Sequence, residues 1–171
     1  MAVRLTDAGA TFANFSGTIK AEGNNGNSQS TNAGSSAGTV YLQDGDTAEG
    51  AGTIRVANLT SSTAEDAKTG FPSLANDAPI DNLTKASLEV SNNSKVIFIA
   101  GVKMNVLNVA SGSSIDLAGK TVIVKRAKLG GTNLSPGTYA ASDAAVSGFV
   151  SDSGEGGELV VSGGGFSLIV R

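Results

Sequence analysis

Between Ala86 and Arg126 apolar and polar positions alternate in short runs: Leu88 and Val90, Val96 and Phe98, Met104 and Val106, Ile115 and Leu117, Val122 and Val124. Ser, Asn and Gly separate the runs. Period-two alternation broken by turn residues predicts half-buried β-strands. The runs start about every 8–11 residues, the spacing of an all-β sandwich, barrel or solenoid. Three further strands are predicted upstream, at Gly17-Thr18-Ile19-Lys20-Ala21, Gly38-Thr39-Val40-Tyr41-Leu42 and Gly52-Thr53-Ile54-Arg55-Val56. They share a Gly-Thr-aliphatic-x-aliphatic pattern at uneven intervals. Glycine supplies the turn and the aliphatic pair faces inward.

The remaining stretches read as interruptions. Residues 22–38 are rich in Gly, Asn and Ser and predict a polar loop. Residues 57–86 break the strand rhythm and read as an irregular excursion. Thr63 to Lys68 within it resembles one or two helical turns, with Thr63 as N-cap and Gly70 as the stop. Phe12 and Phe15 are expected to cover one edge of the core, and Tyr139 another. Glu158-Leu159-Val160-Val161 and the run 166–171 flank a glycine turn and predict a terminal hairpin. The whole, 1–171, reads as a single β-rich domain, with 87–171 the best-supported part.

Composition narrows the architecture. Gly is 23 of 171 residues, about twice its usual share, while charged residues are 16% and aromatics 5% with no Trp. Such a core is built from Val, Ile, Leu, Ala and a few Phe in thin layers. Stacked solenoid rungs suit that supply, because neighbouring strands lie only about 4.8 Å apart. The chain has neither Cys nor His. That excludes disulfides, thiol nucleophiles, Cys/His zinc sites and the Ser-His-Asp arrangement. Net charge is −3, the wrong sign for nucleic-acid binding. No apolar run has the length of a membrane span. Met1-Ala2-Val3-Arg4 leads straight into polar sequence without a signal-peptide pattern, which for an exported protein predicts a mature or trimmed chain.

The segment 114–161 carries a resemblance. It reads SIDLAGKTVIVKRAKLGGTNLSPGTYAASD, then a Gly-rich gap, then GELVVSG. This is similar to the C-terminal part of bacterial right-handed β-helix surface proteins of the autotransporter-passenger type. Leu117, Gly119, Val122, Val124, Leu129, Gly130, Pro136, Gly137, Thr138, Tyr139, Leu159 and Val161 carry the match, which covers under a third of the chain. The resemblance implies an extracellular parallel β-helix with a surface-structural or adhesive role and no catalytic residue.

Few residues suggest chemistry. Asp44-Gly45-Asp46 offers clustered oxygens to Ca²⁺, a hard cation, although Asp-Gly-Asp is more often a plain turn. It matches neither the EF-hand nor the calcium β-roll pattern. Lys120, Lys125, Arg126 and Lys128 form a basic cluster that is expected to guard a strand edge. Asp116, Asp143, Asp152, Glu155 and Glu158 fall in turns, with no pairing that would make a glycosidase couple.

The expected fold is therefore all-β, a right-handed parallel β-helix with a C-terminal hairpin cap, and a β-sandwich is the alternative. The expected function is an extracellular, adhesin-like structural segment that self-associates or joins a surface assembly, with no enzyme activity and no cofactor beyond the Ca²⁺ option. Its partners are copies of itself, other surface chains or polysaccharide. The alternatives are a polysaccharide-binding module and a β-helix enzyme of the polysaccharide-lyase type.

Overall fold

The computed structural model describes residues 1–22, 36–58, 68–72 and 83–163. Residues 23–35 of the polar loop, 63–67 of the expected helical turns and the run 166–171 lie outside the described residues. In chain order the strands are β1 (Ala2–Arg4), β2 (Thr39–Gln43), β3 (Thr53–Ala57), β4 (Lys68–Phe71), β5 (Ser87–Ser91), β6 (Lys95–Phe98) and β7 (Val102–Val109). They continue as β8 (Ser114–Asp116), β9 (Thr121–Leu129), β10 (Thr132–Asn133), β11 (Gly137–Ala140), β12 (Val150–Ser151) and β13 (Glu158–Val161). The structure is all-β, with three short 3₁₀ turns and no α-helix among the described residues.

Two sheets share the strands. The long sheet runs β1-β2-β3-β5-β7-β9-β13-β11, with β10 also paired to β9, and the short sheet runs β12-β8-β6-β4. Neither closes into a barrel among the described residues. From β3 to β9 the chain alternates between the sheets, and every neighbour pair in that stretch is parallel. Leu88 lies beside Leu107, 19 residues on, and Val102 beside Val122, 20 residues on. Val96 and Ile115 repeat the 19-residue interval in the short sheet.

This register stacks like on like. Ile54, Leu88, Leu107 and Ala127 form one column across the long sheet, and Val56, Val90, Val109 and Leu129 form the next. All eight are buried. Val96, Ile115 and Val150 line the short sheet, where Phe71 and Phe98 meet edge to face with ring centroids 5.9 Å apart. Small and branched residues suffice because each column is continued by the strand above and below.

Turns complete each passage between sheets. Asn92 and Asn93 both take positive φ, 54° and 56°, between β5 and β6. Asparagine tolerates that region, and a tight turn requires it. Buried Asn58 packs there, donating its backbone N–H to Ser94 Oγ at 2.8 Å.

Several expectations change. Residues 17–21 form no strand. They lie over the outer face of β2 and β3, where Val40 is buried beneath them. The other two copies of the pattern do form strands, β2 and β3, but they pair antiparallel. The connection between them is too short for the crossover that a parallel pair needs. Gly70 ends no helix: it sits in β4, paired with Ile97. Val106 is only half-buried, and Leu107 takes the inward place. Phe15 is 53% exposed rather than covering the core. Tyr139 packs against the core from β11, which is the antiparallel neighbour of β13.

Candidate functional site

The most organised polar cluster lies where β8 leaves the short sheet. Asp116 is nearly fully buried between Ile115 and Leu117. Its Oδ1 accepts the N–H groups of Ala118 (3.0 Å) and Ser153 (2.9 Å), and its Oδ2 accepts the ammonium of Lys68, two strands away on β4. Burial raises the carboxyl pKa, but Lys68 and the N–H donors outweigh it and hold the group at about 2. Next to it, Asp152 accepts the N–H groups of Gly119 and Gly157, each at 2.6 Å, and that of Gly154 at 3.3 Å. The first two bonds, aided by the third, pull its pKa down against slight burial and the nearby Asp116 charge.

The sequence does not bring these two carboxylates together, and the fold does. Asp116 bonding two residues ahead to Ala118, and Asp152 to Gly154, are Asx turns readable from the chain. Lys68 gives no such signal. Glycosidase chemistry needs one carboxyl held protonated, with its pKa raised. Both groups here are shifted the opposite way, and their oxygens are taken by Lys68 and by N–H groups of the loops 116–120 and 151–157. The arrangement is suited to clamping those loops together.

Asp44 and Asp46 sit in the β2–β3 connection. Asp44 Oδ1 accepts the Phe12 N–H at 2.8 Å, and Asp46 Oδ1 accepts the Gly9 N–H at 2.9 Å. Between them Gly45 donates to the Ala10 carbonyl at 2.9 Å, and a Cβ on Gly45 would overlap the Asp7 carbonyl oxygen. The Asp-Gly-Asp turn thus staples the N-terminal segment to the sheet. No group of three or more metal-ligating side chains occurs among the described residues.

Concavities flank that segment. A groove of about 330 Å³ between residues 18–22 and the long sheet holds two carboxylates, Glu22 and Glu89. Each is ion-paired, Glu22 with Lys20 at 2.9 Å and Glu89 with Arg55 at 3.1 Å. An open apolar hollow of about 690 Å³ is lined by Val3, Leu5, Ala10, Phe12, Phe15 and Ile19.

The basic cluster lies elsewhere than at an edge. β9 pairs with β7 on one side and with β13 and β10 on the other. Lys125, Arg126 and Lys128 are exposed on its outer face, whereas Lys120 precedes the strand in a turn. An edge-guarding role does not apply to an interior strand.

No family model, curated protein or solved structure matches the chain.

Proposed function

We propose that this chain is a segment of right-handed parallel β-helix that serves as an extracellular, adhesin-like building block at a bacterial cell surface, without catalysis. It joins other chains by strand addition. The regular 19- and 20-residue intervals, with strands passing in turn between two sheets, support the solenoid. Right-handedness follows the general rule for parallel crossovers. The resemblance of 114–161 supports the surface role.

The observation that carries assembly is the state of β1. It ends the long sheet. Its bonds to β2 run through the Met1 carbonyl, Val3 and the Leu5 N–H. By parallel-ladder geometry the N–H and C=O of Ala2 and Arg4 then point away from the sheet, and no strand pairs with them among the described residues. An open strand edge is a template for another chain.

Light scattering and electron microscopy across a concentration series test this reading. The expected result is concentration-dependent oligomers or fibres. Arg4→Pro deletes one outward N–H without touching a bond to β2, so it shifts the distribution toward monomer at unchanged circular dichroism. A wild-type protein that stays monomeric at every concentration overturns the proposal.

A further inference from the structure

The outer face of β7 and β9 gathers cations that the fold does not use. Lys103 on β7 and Lys125, Arg126 and Lys128 on β9 are all exposed. The inward-outward alternation slips once on each strand at the same level. On β9 this leaves Lys125 and Arg126 outward in succession between buried Val124 and Ala127. On β7 it leaves Asn105 and Val106 half-buried between Met104 and Leu107. The four cations therefore form a ridge about 17 Å long at about 3.3 Å per residue.

None of the four takes part in an ion pair among the described residues. The nearest acid in the Lys128 row is Glu89, beyond Asn108, and Arg55 holds it. Glu158 lies beside Thr121, at the opposite end of β9. Four of the 12 Lys and Arg residues of a net-negative chain thus stand together, without an ion pair among the described residues, on two neighbouring interior strands. Like charges on neighbouring positions repel, and an extended anion along the ridge would relieve that cost.

We propose that this face binds a linear acidic polysaccharide, one bearing carboxylate or sulfate groups along its length. A row of cations fits a linear polyanion better than a single small anion. Asn108 lies in register with Lys128, and Asn133 flanks Lys128 on the other side, placing amides where sugar hydroxyls would fall. The ridge carries no aromatic side chain on which a nucleobase could stack. Ionic recognition also dispenses with the aromatic platform that this chain, without Trp, is poorly supplied to build. The proposal does not depend on strand addition at β1.

The test is titration of the full chain with polygalacturonate, heparin and neutral dextran at low and high salt. The Arg126→Gln/Lys128→Gln variant is compared with an equal-charge control, Lys20→Gln/Lys95→Gln. The expected result is binding to one or both polyanions and none to dextran. Affinity should fall with salt, drop by about tenfold in the ridge variant and stay within about twofold of wild type in the control. Circular dichroism and melting temperature establish that both variants fold. Three results overturn the proposal: no polyanion binding at low salt, equal losses in the two variants, or tighter binding to single-stranded polynucleotide than to either polysaccharide.

Discussion

Asp116 occupies a position between two fully buried aliphatic residues, yet it is a carboxylate held at a pKa of about 2. The unfolded chain binds its proton near pH 3.9. Below that value the unfolded state takes up protons that the folded state still refuses, so stability falls with pH. The contribution is complete above about pH 5 and is lost as pH drops toward 2. It amounts to about 2 kcal/mol, and Asp152, also lowered, acts in the same direction. Urea melts between pH 6 and pH 2 should show this loss, and Asp116→Asn should flatten the profile by a comparable amount. A profile unchanged by that substitution would remove Asp116 from the clamp. Part of this was legible: the Ser-Ile-Asp-Leu-Ala-Gly run contains its own Asx turn. The ammonium was not, because Lys68 is 48 residues away and reaches Asp116 only once β4, β6 and β8 are aligned.

The strands were legible wherever strict alternation met a turn. Leu88, Val90, Val96, Phe98, Val122 and Val124 all face inward as their spacing demands. Legibility failed where the period itself changes. Beyond Met104 alternation points Val106 inward, but the slip at Asn105 hands that place to Leu107, and valine is at home on either face. It failed again at 17–21, whose composition is that of a strand. Strand formation needs a free ladder, and β2 already pairs with β1 and β3, so the segment covers a face instead. β1 itself is three residues long and too short to display a period. Asp44 and Asp46 flank a turn, but the segment they hold lies more than 30 residues upstream and gives no signal in the chain. The columns give a direct prediction at this scale. Leu107 sits between Leu88 and Ala127 with no exposure. Leu107→Ala should therefore cost about 2–5 kcal/mol in chemical denaturation, whereas Val106→Ala in the neighbouring half-buried position should cost under half as much.

Across the whole molecule, pairing is uneven. β5, β7 and β9 have neighbours on both sides, whereas β1 has one. Hydrogen exchange should follow that gradient. Amides of β5, β7 and β9 should exchange near the global unfolding limit, and those of β1 and the 5–22 segment should exchange orders of magnitude faster. Uniform protection along the chain would contradict this.

The in-register stacking is indifferent to how much chain intervenes. Ile115 meets Val150 after 35 residues and Val122 meets Leu159 after 37, with the same parallel register that joins Val96 to Ile115 after 19. The extra residues, 130–149, fold as β10, β11 and a 3₁₀ turn beside β9 and β13, with Val146 in the core, and do not displace the next strand. A scaffold of this kind measures position and not contour length, and the entropy of lengthening a loop grows only logarithmically. Exposed turns in such connections, as at 142–145, are therefore ports, where peptides, tags or whole foreign domains can be spliced in while the column beneath them keeps its count.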